Sequence, residues 1–319
     1  MANVAIMGFG TVGSGAYEIM TKQASRLHEK CGEPLTIKRV LDLKDYPNNP
    51  INGLLTKNFD DILNDDELTI VIETMGGTSP AYDFTKSLLE KGKNVVTSNK
   101  EVVAAHGKEL VQIASKNNVK YLFEASVCGA IPIIRPIQNC LVANNIHEIK
   151  GILNGTTNYI LTRMLKTGVS FEDVLEQAQK QGYAEKDPTD DIEGFDTCRK
   201  IAILSWLAFG EAAKDISWEN IPTTGITRIT LKELQKAEVE GFSIKLIGHA
   251  KLKDGKVVCK VGPMRLPKDN PLANVDDVNN AVLVSGDNTG DVMFYGRGAG
   301  QLATGSPIVA DVVSIIRPS

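Results

Sequence analysis

Short apolar runs alternate with longer segments of helical spacing along the first third of the chain. The apolar runs predict buried strands at Asn3–Met7, Thr36–Leu41, Thr69–Glu73, Asn94–Thr97 and Lys120–Phe123. The segments between them predict helices over Thr11–Lys30, Pro80–Lys91 and Ala104–Asn117. Alternating elements of this length are typical of a parallel sheet with helices on both faces.

The pattern changes after Gly129–Pro136, where glycine and two prolines interrupt it. One strand is predicted at Ile146–Leu153, and the turn Asp254-Gly255 predicts a hairpin of Phe242–Leu252 with Lys256–Leu266. Helical spacing recurs over Thr156–Lys166, Phe171–Lys180, Ile192–Phe209 and Leu302–Ile316. Helices mixed with antiparallel strands indicate an α+β domain.

Two domains are expected, and a length of 319 residues agrees with that number. The predicted fold class is α/β, with a Rossmann-type doubly wound parallel sheet in residues 1–130. Residues 131–297 are predicted to form an α+β substrate and dimerisation domain. Residues 298–319 are predicted to form a C-terminal helix that returns to the nucleotide-binding domain.

Composition narrows the range of partners and compartments. A formal net charge of -4 argues against a general nucleic-acid binder. The longest apolar run, Ile201–Phe209, is far shorter than the roughly 20 residues that a membrane-spanning helix needs. The N-terminus lacks the basic region of a signal peptide, and the five cysteines are scattered without a CxxC pair. We therefore expect a cytoplasmic protein with no membrane partner.

A glycine-rich turn follows the first predicted strand and opens the first predicted helix. Gly8-Phe9-Gly10-Thr11-Val12-Gly13 matches GxGxxG, the dinucleotide-binding fingerprint. Gly8 allows a tight turn, Gly10 lets the backbone approach a pyrophosphate, and Gly13 lets helix and strand pack closely. The N–H groups of Thr11 and Val12 would face the phosphates at the helix N-terminus. A simple glycine turn is the alternative, but the position of this motif between a strand and a helix favours a dinucleotide site.

The choice between NAD and NADP stays open in the sequence. Asp42 ends the second predicted strand, where an acidic residue would hold the ribose 2′-hydroxyl of NAD, although it lies farther than usual from the glycines. Lys44 and Lys57 could instead accept the 2′-phosphate of NADP. Both lysines could equally be ordinary surface residues. The cofactor is therefore predicted as NADP or NAD, with Asp42 and Lys44 setting the preference.

Acidic residues are concentrated in one short stretch that ends in a lysine. The stretch contains Glu185, Asp187, Asp190, Asp191, Asp196 and Lys200. Asp196 and Lys200 are four residues apart, so they share one face of a largely apolar helix. This spacing also suits an ordinary ion pair, and a solvated acidic loop is the simpler interpretation of the remainder.

The chemistry of a nicotinamide enzyme gives such a cluster a use. Reducing a carbonyl requires a proton for its oxygen, and a positioned ammonium group can donate one. Carboxylates can hold the ammonium of an amino-acid substrate. Lys100 is a second candidate because it lies just past the carboxyl end of a predicted strand, where open α/β sheets bind ligands. The alternative for Lys100 is a solvated loop lysine.

These residues together resemble the homoserine dehydrogenase family over nearly the whole chain. The resemblance rests on Gly8–Gly13, Glu73–Gly77, Thr97–Lys100, Glu124–Gly129, Leu153–Ile160, Gly182–Lys200 and Tyr295–Gly300. That family reduces aspartate 4-semialdehyde to homoserine with a nicotinamide cofactor, and its product feeds threonine, methionine and isoleucine synthesis. The resemblance implies a small-molecule substrate and a homodimer, or a tetramer, built through the second domain.

The resemblance also implies roles for individual residues. Lys200 matches the catalytic proton donor, Asp196 the catalytic aspartate, and Lys100 a second active-site lysine near substrate and cofactor. Glu185 and Asp191 match substrate-binding carboxylates, while Thr74, Gly76 and Gly298 match the cofactor-binding motifs. A monovalent cation, usually sodium, would be held by a glutamate side chain and three backbone carbonyls. These ligands fall on Glu124, Val127, Gly129 and Ile131.

Three features depart from the family pattern. The chain ends at Ser319, where many members continue into a regulatory ACT domain, so we expect no ACT-mediated threonine feedback in cis. Ala303-Thr304-Gly305 replaces the usual Pro-Thr-Ala, which predicts a flexible start of the last helix and a less rigid loop at Gly298–Gly300. Cys128 replaces a small residue, often glycine.

Two other functions remain open from the residues alone. The first is a related dehydrogenase that acts on another amino-acid-derived aldehyde or 2-amino acid. The second is a catalytically silent nucleotide-binding sensor, against which the intact Asp196 and Lys200 argue.

Overall fold

Six short strands form a parallel sheet in the structure, which is a computed structural model that describes residues 2–317. Strands β1 to β6 run over Ala2–Met7, Leu35–Leu41, Leu55–Thr56, Leu68–Glu73, Asn94–Thr97 and Tyr121–Leu122. Their order in the sheet is β3-β2-β1-β4-β5-β6, and every neighbouring pair is parallel. This is the order of a dinucleotide-binding sheet, so the predicted Rossmann-type fold is confirmed.

Helices connect these strands, and two of their boundaries differ from prediction. Helices α1 to α5 run over Thr11–Lys22, Ala24–Cys31, Asp60–Leu63, Ala81–Glu90 and Lys100–Lys116. The single helix predicted over Thr11–Lys30 is wrong, because Gln23 leaves the helical conformation between α1 and α2. Helix α5 begins four residues before the predicted Ala104, because the Asn99 side chain caps it by accepting from the backbone N–H groups of Glu101 and Val102.

A second sheet of five antiparallel strands follows. Strands β7 to β11 run over Ile146–Ile152, Phe242–Lys253, Lys256–Pro267, Asn279–Gly286 and Gly290–Arg297. Their order is β11-β10-β7-β8-β9. The predicted hairpin turn is confirmed, since Asp254 and Gly255 have φ values of 50° and 76° between β8 and β9. Strands β10 and β11 were absent from the sequence prediction.

Five helices accompany this sheet. Helices α6 to α10 run over Gly155–Thr167, Phe171–Lys180, Thr189–Ile192, Phe195–Phe209 and Leu231–Val239. The continuous helix predicted over Ile192–Phe209 is wrong. Gly194 has a φ of 87° and separates α8 from α9, a conformation that glycine adopts without strain. Helix α9 then packs on the sheet, where the missing side chain of Gly248 makes room for Ile201.

The last helix, α11, spans Gln301–Ile316 and packs along α1. Two glycines permit this close approach. A Cβ atom on Gly15 would lie 2.1 Å from the carbonyl oxygen of Gln301, and one on Gly305 would lie 2.8 Å from the backbone nitrogen of Ala16. Gly305 therefore has a packing role at a tight helix crossing. The flexible helix start and the less rigid loop at Gly298–Gly300 stay predictions.

The chain divides into two compact units. The first comprises Met1–Ala130 and Ala299–Ser319, and the second comprises Ile131–Gly298. The core of the first unit consists of apolar side chains from β1, β4, α1 and α11, including Ile6, Ile72, Ala16 and Ile308. Within residues 2–317, no helix is both long enough and apolar enough to cross a bilayer.

Candidate active site

The glycine turn after β1 uses its first and third glycines for structure. Gly8 has a φ of 89°, and a Cβ atom there would lie 2.8 Å from the carbonyl oxygen of Thr74. A Cβ atom on Gly13 would lie 2.0 Å from the carbonyl oxygen of Gly8. The Thr74 hydroxyl donates to that same Gly8 oxygen at 2.7 Å, so the turn and the loop after β4 are tied together. These two glycines therefore perform the predicted tight turn and close packing.

The second glycine of the turn faces open space. A Cβ atom on Gly10 would meet no other atom within 4 Å. Gly10 is also the N-cap residue of α1, and no side chain caps that helix. The first N–H groups of the helix, at Thr11 and Val12, therefore have no intrahelical partner and carry the positive end of the helix dipole. This combination is suited to the phosphates of a dinucleotide.

A cleft of about 510 Å³ opens beside this turn at the carboxyl end of the sheet. Its wall contains Gly8, Gly10, Asp42, Lys44, Thr74 and Gly76, so six of the predicted cofactor residues meet there. Lys57 also lines the cleft, and its ammonium pairs with exposed Asp45 at 2.7 Å. The rings of Phe59 and Phe84, which line the cleft as well, stack with their centres 3.9 Å apart.

Asp42 connects the end of β2 to the glycine turn. One carboxylate oxygen accepts from the backbone N–H of Phe9 at 2.7 Å, and the other accepts from the N–H of Lys44 at 2.9 Å. Each oxygen has a further lone pair, so the carboxylate can still accept from a ribose hydroxyl. Asp42 therefore shapes the cleft as well as lining it.

Lys100 is the first residue of α5 and directly follows the capping residue Asn99. Lys100 lies past the carboxyl end of β5, as predicted, and the alternative of a loop lysine is wrong. Asn99 also donates from its side-chain nitrogen to the carbonyl oxygen of Gly77 at 2.8 Å. The start of α5 is therefore attached to the loop after β4, which contains Thr74 and Gly76.

In the second unit, Asp196 and Lys200 form a nearly buried ion pair on α9. The Lys200 ammonium donates to the Asp196 carboxylate at 2.7 Å and to the carbonyl oxygen of Leu153 at 2.9 Å. The Asp196 side chain is 4% exposed and the Lys200 side chain is 12% exposed, so solvent screens this pair little. An ammonium group has three N–H donors, which leaves one for a ligand.

Asn154 is at the centre of this cluster and was not among the predicted site residues. Its side-chain nitrogen donates to Asp191 at 2.6 Å and to Asp196 at 2.8 Å. Its side-chain oxygen accepts from the backbone N–H of Thr157 at 2.8 Å and so caps α6. One side chain thus fixes both carboxylates against the helix. The Asn-Gly-Thr order just before a helical segment is a capping signal that could have drawn attention to it.

Asp191 belongs to the cluster, whereas Glu185 stands apart. Burial, and then the negative charge of Asp196, raise the pKa of the Asp191 carboxyl group above its ordinary value. The Glu185 side chain is exposed in the segment between α7 and α8. Among the residues that the structure describes, the Lys200 ammonium pairs with Asp196 and not with the Glu185 carboxylate.

The predicted cation ligands lie in a buried, sharply turning segment. Glu124 is 3% exposed, and Val127 is fully buried. Cys128 and Gly129 follow with φ values of 58° and 49°, two successive left-handed residues that redirect the backbone carbonyls. A buried carboxylate beside such carbonyls is a donor set that suits a hard cation. Ile131 is the first residue of the second unit.

Gly298 has a packing role within the second unit. A Cβ atom on Gly298 would lie 2.3 Å from the carboxamide carbon of Asn280. Asn280 is itself 1% exposed, and neither of its side-chain polar atoms has a hydrogen-bond partner in the part of the chain that the structure describes.

A parallel nucleotide-binding sheet with a fingerprint turn, and a separate unit with a buried lysine and carboxylates, define a nicotinamide-dependent oxidoreductase. Residues 8–124 match the family described as the NAD binding domain of homoserine dehydrogenase, and residues 132–313 match the homoserine dehydrogenase family itself. The chain belongs to the homoserine dehydrogenase family.

Individual relatives agree over almost the entire chain. A homoserine dehydrogenase from Synechocystis is 41% identical over 98% of this chain and 73% of its own length. The corresponding protein of Bacillus subtilis is 39% identical over 98% of this chain and 72% of its own length. A crystal structure of the Thiobacillus denitrificans enzyme superimposes with a TM-score of 0.93 at 39% identity, covering 99% of this chain and 73% of that one. A hyperthermophilic archaeal homoserine dehydrogenase mutant in complex with NADPH superimposes at 0.82 with 28% identity, over 98% and 97% of the two chains.

Proposed function

We propose that this chain catalyses the reversible, NAD(P)-dependent reduction of L-aspartate 4-semialdehyde to L-homoserine. The observation that carries the proposal is the buried cluster of Lys200, Asp196, Asn154 and Asp191, which combines one proton donor with two carboxylates. Family membership supports the substrate, and the fingerprint turn supports the cofactor. The product would serve threonine, methionine and isoleucine synthesis.

Most of the proposed cofactor contacts come from residues of the first unit. Bound NAD(P)H would supply the hydride that reduces the aldehyde carbon. The open backbone at Gly10 and the uncapped N–H groups of α1 would hold the pyrophosphate. Asp42 and Lys44 would contact the adenosine ribose, and Thr74 and Gly76 line the same cleft. Lys100 and Gly298 are proposed as further cofactor contacts on the family resemblance.

Lys200 is the proposed proton donor. As the hydride reaches the aldehyde carbon, negative charge develops on its oxygen, and the free N–H of the Lys200 ammonium can donate a proton to that oxygen. Asp196 and the Leu153 carbonyl hold the ammonium in one orientation. In the reverse direction, the neutral amine takes the proton from the homoserine hydroxyl group.

The charges of the cluster favour an amino-acid substrate. Ionised Asp191 and Asp196 carry two negative charges against the single positive charge of Lys200. The ammonium group of aspartate semialdehyde would supply the missing positive charge beside Asp191. Glu185 and Lys100 are proposed as further substrate contacts, at the substrate ammonium and the substrate oxygens, respectively.

The cleft also supports a proposal about cofactor choice. The cleft wall contains the ammonium groups of Lys44 and Lys57 and the carboxylate of Asp42, and Lys57 also pairs with Asp45. These ammonium groups can donate to the 2′-phosphate of NADP, which carries a negative charge that NAD lacks. We therefore expect NADP to bind more tightly than NAD.

Three further proposals follow the family resemblance. We propose that the enzyme is a homodimer, or a tetramer, assembled through the second unit. A sodium ion would be held by the Glu124 carboxylate and the backbone carbonyls of Val127, Gly129 and Ile131. The scattered cysteines support a reducing, cytoplasmic compartment.

Replacing Lys200 tests the proposed function. Lys200→Ala is expected to lower kcat for homoserine oxidation by about 10²–10⁴-fold, because it removes the general acid and base. The Kd for NADPH should change little. Lys180→Ala is a matched control, since Lys180 pairs with Glu176 at the same four-residue spacing on an exposed helix face. The assay follows reduced nicotinamide by absorbance, with homoserine and either cofactor.

Each outcome of that assay discriminates among functions. Near-normal turnover by Lys200→Ala would contradict the assigned role. Wild-type turnover of another amino-acid-derived aldehyde, with none of aspartate semialdehyde, would indicate a related dehydrogenase. Cofactor binding without hydride transfer to any of these substrates would indicate a nucleotide-binding sensor.

A further inference from the structure

Glu73 is a fully buried carboxylate at the carboxyl end of β4, next to the cofactor cleft. Burial raises the pKa of its carboxyl group to about 7. A charged group in such a position costs stability unless every acceptor atom is used. Glu73 is not among the predicted site residues, and it takes no part in the proposed proton transfer.

The two oxygens of Glu73 accept from two different segments. One accepts from the backbone N–H of Met75 at 2.8 Å, and the other accepts from the hydroxyl group of Thr97 at 2.5 Å. Met75 belongs to the loop after β4, and Thr97 ends β5. The ionised carboxylate offers an acceptor to each segment, whereas a glutamine would present a donor to one of them.

The bond to Thr97 continues into the start of α5. The Thr97 hydroxyl oxygen accepts from the backbone N–H of Asn99 at 2.8 Å. The Asn99 side chain caps α5 through its oxygen and donates to the carbonyl oxygen of Gly77 through its nitrogen. Lys100 is the next residue, so its backbone position depends on this chain of hydrogen bonds.

The loop of residues 74–77 is consequently fixed at three points. The Thr74 hydroxyl donates to Gly8, the Met75 N–H donates to Glu73, and the Gly77 carbonyl accepts from Asn99. Between these points lies Gly76, which lines the cleft and where a Cβ atom would meet nothing within 4 Å. The fixed parts of the loop thus flank a glycine that lines the cleft and leaves room for a ligand.

We propose that Glu73 is a positioning residue for the cofactor: its carboxylate fixes the loop of residues 74–77 against the Thr97–Lys100 segment, so that the cleft wall is preformed. This inference rests on the proposed use of a nicotinamide cofactor. A preformed wall lowers the ordering cost of binding, so loss of the carboxylate should weaken cofactor binding in a protein that remains folded.

The test measures cofactor affinity without any substrate. At a pH above the pKa of Glu73, Glu73→Gln should raise the Kd for NADPH about tenfold, the equivalent of one hydrogen bond to a charged group. Glu109→Gln is the matched control. It removes a carboxylate from the same unit, on α5, where Glu109 pairs with Lys86 at the surface. Its Kd should equal that of the wild type.

Thr97 supplies a second pair of variants if Glu73→Gln does not fold. Thr97→Ser keeps the hydroxyl group and should keep the wild-type Kd, whereas Thr97→Val removes it and should raise the Kd about tenfold. A purely structural role would lower the melting temperature of Thr97→Val and leave the Kd of the folded protein unchanged.

The results separate this inference from the proposed function. Unchanged Kd values in folded Glu73→Gln or Thr97→Val would overturn the role of Glu73. Wild-type protein that binds NADPH but does not oxidise homoserine would overturn the proposed function alone, because the binding titration contains no substrate. Wild-type protein that binds neither NADPH nor NADH would overturn both.

Discussion

The open face of Gly10 leads to a prediction that separates cofactor binding from folding. The change is Gly10→Ala, and its partner variant is Gly13→Ala in the same turn. Gly10 has φ −76° and ψ −159°, a conformation that alanine adopts readily, and the new methyl group would meet no protein atom within 4 Å. The free energy of unfolding should therefore change little, because the gain of about 0.4–1 kcal/mol from restricting the unfolded chain opposes the weaker fit of alanine at the N-cap of α1.

The same methyl group should weaken cofactor binding strongly. It would occupy the space through which the backbone approaches a pyrophosphate. Losing two hydrogen bonds to charged phosphate oxygens, at about 1.5 kcal/mol each, costs about 3 kcal/mol. The Kd for NADPH should rise by about a hundredfold, since about 1.4 kcal/mol corresponds to a factor of ten.

Gly13→Ala should instead lower the free energy of unfolding. Its Cβ atom would lie 2.0 Å from the Gly8 carbonyl oxygen and 2.7 Å from the Thr74 hydroxyl oxygen. Relieving such overlaps costs about 1–3 kcal/mol of stability. Denaturant unfolding and NADPH fluorescence titration measure the two quantities on each variant. Wild-type affinity in Gly10→Ala would refute the placement of the pyrophosphate at this turn.

Three other predictions concern the substrate, the cofactor and the fold. Because its pKa is raised, Asp191 loses its charge at a higher pH than an ordinary aspartate does. The KM for homoserine should therefore rise on acidification, and Asp191→Asn should abolish that pH dependence in steady-state assays. Lys44→Ala should raise the Kd for NADP about tenfold and leave the Kd for NAD nearly constant in binding titrations; an unchanged ratio would count against the lysine. Gly15→Ala should lower the free energy of unfolding by about 1–3 kcal/mol, because its Cβ atom would lie 2.1 Å from the Gln301 carbonyl oxygen. Gly53→Ala adds a methyl group in open space and should leave the free energy of unfolding unchanged.

Features encoded by neighbouring residues were predictable from the sequence. The glycine turn is local, because its three glycines have different tasks within six positions. The alternation of strands and helices likewise predicted the parallel sheet of the first unit. The pairing of Asp196 with Lys200 is likewise a consequence of helical spacing. The hairpin at Asp254 and Gly255 was predictable because both turn residues tolerate positive φ.

Features that depend on distant contacts were not predictable. The break at Gln23 has no glycine or proline to announce it. The strand β10 is buried along nearly its whole length, so it lacks the polar alternation that marks a half-exposed strand. Gly305 looked like a source of flexibility in the sequence, and only its distance to Ala16 reveals a packing function.

The same limit explains why Asn154 escaped prediction while the residues around it did not. Asp191 and Asp196 lie 37 and 42 positions away from it in the chain, and only folding brings the Asn154 amide between them. Two carboxylates this close repel each other, and a neutral donor that bonds to both lowers the cost without cancelling their charge. Asp196 is already matched by Lys200, so the uncompensated charge belongs to Asp191. Asn154→Ala would therefore disturb Asp191 and Asp196 more than it disturbs Lys200. The uncompensated charge of Asp191 favours a substrate that carries an ammonium group.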